Sequence, residues 1–300
     1  MAKRKKISSA LVVFLILDAL VLGAVGSYYL AQRSFTKKMA QIEAQKPENL
    51  VKEATAKVLP ADGYTTQLKW GDIVKKLVEA GAIDPVKYRE IYNSKTNGAE
   101  QLTLLEGESD QAISIDENNA YFLVNTLWAL GLTQKSIVLD EGPMTKNTAN
   151  YASTGGWILG KKTAMELYSS QELIPLNEEQ QDLVQKIAGN VYRPCCGNSV
   201  AFPDRNHGMA ALGYIELAVA AGLSEEQIYQ DLLAFNSYWF PDTYVEMAVY
   251  FQQQEGLSWD KVDAKTALSY DYSSAAGAQK IKQAVQSIPG LKSQGGSCGA

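Results

Sequence analysis

Apolar positions recur mostly every three to four residues along this chain, the period of a helix with one buried face. In KWGDIVKKLVEAGAID, Ile73, Val74, Leu77 and Val78 share such a face, and Gly81 supplies a left-handed stop. Asp84-Pro85 restarts a helix, with Asp as N-cap and Pro at the first helical position. Asp116 is expected to cap ENNAYFLVNTLWALG, whose Tyr121, Val124, Leu127, Trp128 and Leu130 form a buried stripe, with Gly131 ending it. A helix is expected near 158–169. Asn177 and Gln180 make a capping box for a helix burying Leu183, Val184 and Ile187, and Ser224 with Gln227 repeats the device before Ile228, Leu232 and Phe235. A small-residue helix is expected over about 208–221, another from Pro241-Asp242, and a last one near 275–287. The stretch 94–113 is polar and reads as a loop with room for one short strand. No period of 20 to 50 residues repeats, so a solenoid is not expected.

Before this body the pattern changes. MAKRKKISS is followed by ALVVFLILDALVLGAVGSYYLA, residues 10–31, an apolar run broken only by Asp18. As a helix it would reach roughly 33 Å, enough for a bilayer core of about 30 Å. A retained membrane anchor is the expectation; a cleaved signal peptide ending near Ala24-Val25-Gly26 is the alternative. Lys3, Arg4, Lys5 and Lys6 outnumber Arg33, Lys37 and Lys38, which puts the N-terminus in the cytoplasm and the remainder outside. Asp18 is a candidate contact to a partner helix in the membrane. A polar, mostly helical stalk interrupted at Pro47 would link anchor and body.

Composition adds little until the scarce residues are counted. The chain is 46% hydrophobic and 20% charged with a net charge of -5, and no basic stripe follows the N-terminal segment, so nucleic acid is not expected as a partner. It lacks a Walker or GxGxxG pattern, hence no nucleotide cofactor is expected, and it lacks a GxSxG elbow. Asp110, Asp116 and Glu117 lack calcium-loop spacing. Asn236, Tyr238, Trp239 and Asp242 in FNSYWFPD read as core or as the lining of a pocket.

Three cysteines and a single histidine remain, and VYRPCCGNSVAFPDRNHGMAALG holds Cys195, Cys196 and His207. With Cys298 from the Gly-rich tail they would make a Cys3His set suited to zinc or copper, with Asp204 and Asn206 supporting the ligands and capping the next helix. A redox reading competes: an exposed Cys195–Cys196 pair beside a helix N-terminus suits thiol–disulfide exchange. A third reading makes the loop a structural brace in an interaction module.

KWGDIVKKLVEAGAID, NTLWALGL, ASTGGWILGKK, FNSYWFPD and above all the CCxN…FPDxNHGMA block together resemble an uncharacterised family of bacterial membrane-anchored proteins. That resemblance implies an extracytoplasmic helical domain on one N-terminal anchor, and a further cysteine where this chain has Arg205. The cysteine turn followed by AAGLSEEQIYQDLLAF is also similar to the helical domain of cytochrome c maturation thiol reductases, implying a redox role for Cys195 and Cys196; those proteins space their cysteines by two.

The expected architecture is thus mostly α: a basic segment (1–9), a transmembrane anchor (10–31), a stalk (32–60), a helical extracytoplasmic domain (61–290) and a tail (291–300). The expected function is metal binding at the membrane through Cys195, Cys196, His207 and Cys298, with zinc or copper as cofactor. The alternatives are a tethered thiol–disulfide oxidoreductase and an interaction module.

Overall fold

A computed structural model describes residues 22–23, 25–39 and 46–291. The chain divides into two compact units, Met1–Leu50 and Val51–Ala300. In the first, residues 22–23 and 25–39 are helical.

The fold is mostly helical, and the expected transmembrane helix requires correction: no helix among the described residues is long and apolar enough to cross a membrane. Residues 10–21 and 24 of the expected span lie outside the described residues. The helix that follows runs on through Gln32, Arg33, Thr36, Lys37 and Lys38, which makes it too polar for a bilayer core.

Among the described residues after 46, helices of eight residues or more are α1 (Pro47–Val58), α2 (Ile73–Ala80), α3 (Pro85–Tyr92), α4 (Ala120–Thr133), α5 (Glu178–Asn190), α6 (Asn206–Ala220), α7 (Glu225–Trp239), α8 (Pro241–Tyr250) and α9 (Ala275–Val285). Their ends follow local chemistry. Gly81 closes α2 at φ 80°, Asp84 accepts from the Val86 N–H ahead of Pro85, and Asn177 and Gln180 close a reciprocal box on α5. Ser224 caps α7 by accepting from the Gln227 N–H. The Gln227 amide instead donates to Asp231 and to Tyr64. Over 158–169 the structure holds only a short helix, Ala164–Leu167, capped by Thr163 and Glu166.

Helices α4 and α6 form the centre. Both are apolar nearly all round and almost entirely buried, as a helix wrapped by others must be. They cross at glycines: a Cβ on Gly131 would lie 2.0 Å from the Met209 carbonyl oxygen, and one on Gly213 would lie 2.5 Å from that of Leu127. Gly131 therefore sits inside α4, which runs to Thr133, and serves the close approach of two backbones rather than ending the helix. The N-cap of α4 is Asn119; the Asp116 carboxylate instead accepts from the Asn118 and Asn119 N–H groups in the preceding turn.

Two strands, β1 (Tyr64–Gly71) and β2 (Ser109–Ile115), pair antiparallel with Tyr64 opposite Ile115 and Gly71 opposite Ser109. Thr66, Leu68 and Trp70 alternate inward from β1 and meet the core with Ile113 and Ile115. Each large apolar side chain so buried contributes roughly 1.5–3 kcal/mol.

Candidate functional site

The cysteine loop is a short excursion pinched at its neck. Helix α5 ends at Asn190, and the chain turns extended at Val191. The Val200 N–H donates to the Val191 carbonyl at 2.8 Å, and Tyr192 pairs with Ser199 in an isolated antiparallel bridge. Two tethers fix the neck to the body: Tyr192 N–H to the Leu268 carbonyl at 2.8 Å, and Asn236 Nδ2 to the Tyr192 carbonyl at 3.3 Å. The loop between is held by Cys196 N–H to the Arg193 carbonyl at 3.3 Å and by the Ala275 N–H, at the start of α9, to the Cys196 carbonyl at 2.9 Å.

Arg193 turns inward and is 0% exposed. Its Nη2 lies 3.2 Å from Cys196 Sγ and 3.2 Å from Asp204 Oδ1, so one nitrogen joins the thiol to a carboxylate. Nε and Nη1 have no hydrogen-bond partner among the described residues. The guanidinium lies against the first turn of α6, where a Cβ on Gly208 would come within 2.6 Å of Cζ. Only glycine leaves room for the cation there.

This arrangement acts on Cys196. Its thiol is drawn down from 9.0 to about 6, first by the hydrogen bond with Cys195 and then by the positive charge of Arg193, while burial opposes both. In its protonated form it donates to the Asn198 carbonyl at 3.7 Å. The neighbouring thiol and the fixed cation thus both favour the thiolate form of this half-buried sulfur.

His207 takes no part in that charge. It is 3% exposed and packs against Trp239 and Phe240, with ring centroids 5.5 Å and 4.6 Å away. Burial, reinforced by Arg193, pushes its pKa down to about 3, so the imidazole stays neutral. Nδ1 has no partner among the described residues, and Asn206 Oδ1 accepts from the His207 backbone N–H at 2.9 Å instead of steering the ring. Asp204 pairs with Arg193, and the N-cap of α6 is Arg205, which makes no side-chain cap.

The expected ligand set is thus brought to one region only in part. Cys196 touches the Arg193 guanidinium and His207 feels its charge, which is unfavourable to a metal cation, and Cys298 lies outside the described residues. Among the described residues no group of three or more His, Cys, Asp or Glu side chains could hold a metal ion. The residue missed from sequence is Arg193, two positions before Cys195 and ordinary in type. Gly208 was the available signal for a close neighbour at that turn.

No family model, curated protein or solved structure matches the chain.

Proposed function

We propose that the chain is a thiol–disulfide exchange protein whose attacking group is Cys196. The observation that supports this reading is the 3.2 Å contact of Cys196 Sγ with a fully buried guanidinium, in a loop where Cys195 is hydrogen-bonded to the same sulfur. A thiolate with a pKa near or slightly below ambient pH is both populated and nucleophilic. The Cys196 thiolate would attack a substrate disulfide, forming a mixed disulfide and expelling one substrate sulfur as thiolate. Cys195 would then pass its proton to that leaving thiolate and attack Cys196 Sγ. The mixed disulfide breaks, the second substrate sulfur departs, and a Cys195–Cys196 disulfide remains. Two electrons move from the protein to the substrate; the reverse sequence oxidises a substrate dithiol. Arg193 and Asp204 are positioning residues: the first holds the thiolate, the second holds the first.

The test is alkylation of the full chain by iodoacetamide from pH 5 to 9, with the modified cysteine mapped by mass spectrometry. The Cys196 rate should rise with a midpoint of about 6, and Cys195→Ala should move that midpoint upward. A Cys196 midpoint in the ordinary thiol range, about 8.5, would sink the reading.

A further inference from the structure

We propose that an aromatic cavity at the start of α6 binds a small organic anion with a flat aromatic body, its acid group held at Arg205. The cavity encloses about 360 Å³, within the range of about 300 to 1,000 Å³ typical of small-molecule sites. Tyr121, Trp128 and Trp157 supply aromatic wall, Ile158 stands at the rim, and Arg205 and Asn206 close the helix end.

The two indoles are fixed. They meet edge to face with centroids 4.9 Å apart, and each N–H is already committed to a backbone carbonyl: Trp128 to Ser153 at 2.7 Å, Trp157 to Ala82 at 3.1 Å. What they offer a ligand is carbon surface in a set geometry. The rim is fixed too, because Lys87 Nζ donates to the carbonyls of Ile158 and Gly160 at 2.8 Å each. Ile158 itself is 72% exposed, a large apolar side chain beside an apolar cavity with nothing described over it.

Charge decides the ligand's character. Among the described residues lining the cavity, Arg205 is the one charged side chain, and it pairs with no carboxylate among the described residues. It is also the N-cap of the fifteen-residue α6 and leaves that helix without a side-chain cap. The positive end of the helix and an unmatched guanidinium thus meet at the mouth of an aromatic slot. A carboxylate or sulfonate there satisfies both, and a flat ring behind it fills the slot. The site shares no lining residue with the thiol site, so it stands whether or not Cys196 exchanges disulfides.

The experiment is calorimetric titration of the full chain with 1-naphthoate and with 1-naphthylmethanol, its uncharged counterpart. Naphthoate should bind the wild type, at least tenfold more weakly to Arg205→Gln, while the alcohol's affinity should be the same for both proteins. Ile158→Glu, an exposed change that sets a like charge at the rim, should also weaken naphthoate. Cys196→Ser should bind as wild type does. No binding of naphthoate to the wild type, or equal binding to wild type and Arg205→Gln, would overturn the proposal.

Discussion

Asp231 and Arg193 are both fully buried, and their surroundings differ. Asp231, fully buried on α7, accepts from Tyr64 Oη at 2.6 Å, from Gln227 Nε2 at 2.9 Å and from the Tyr214 hydroxyl, so three elements converge on a satisfied carboxylate. Arg193 is equally buried, yet two of its three nitrogens lack partners among the described residues, and the third divides between a thiol and a carboxylate. A saturated buried charge has its energy spent on holding strands and helices together. An unsaturated one still has capacity for the sulfur beside it. The first is a joint; the second is the feature on which the proposed exchange rests.

That contrast can be broken by substitution. The largest effect is expected from Asp231→Ala, which strands two tyrosine hydroxyls and an amide: a loss of about 3–5 kcal/mol in denaturant unfolding, with the Cys196 alkylation midpoint unmoved. A moved midpoint would mean the two clusters are one network. Gly208→Ala comes next. Its methyl would press on Arg193 Cζ, so a loss of about 1–3 kcal/mol should come with an upward shift of the thiol midpoint. Stability loss without that shift would separate the guanidinium from the thiolate.

A third effect concerns pH. His207 titrates at about 3 when folded and near 6.5 when unfolded, so the unfolded chain binds the extra proton and folding weakens as pH falls below about 6.5. The contribution is present above that value and lost toward 3, at up to about 1.4 kcal/mol per pH unit for one proton. Cys196, lowered in the same sense, adds to the loss between its unfolded value and about 6. His207→Phe should flatten the first window in urea midpoints measured from pH 6.5 to 4; an unchanged slope would show that the imidazole is hydrated rather than buried. Glu216, fully buried on α6, runs the other way: burial holds its carboxyl well above the usual range, which favours the fold at low pH.

How much of this was readable in the residues varies with the physics involved. Helix boundaries set by local chemistry were legible, because Asp84-Pro85, Gly81 and the Asn177–Gln180 box act within a few residues. The gathering of Cys195, Cys196 and His207 in one stretch was legible too. Gly131 misled, since a glycine that ends a helix and one that admits another helix look alike until the neighbour is known. The β1–β2 pair was obscured although Thr66, Leu68 and Trp70 alternate, because the partner strand lies beyond three intervening helices. Arg193 carried no warning: arginine is ordinarily exposed, and only the fold turns this one inward. The metal reading followed from residue types alone, before that cation was in view.

The crossing of α4 and α6 has a consequence for how the chain reaches this state. Gly131 and Gly213 meet only after the roughly eighty residues between them have been closed into a loop, an entropic cost that the contact repays late. The cysteine loop lies within that closed segment, and Arg193 meets Gly208 on the same helix that makes the crossing. The part of the lowered thiol pKa that comes from Arg193 therefore depends on the docked central helices. In the unfolded chain the cysteines return to the ordinary thiol range.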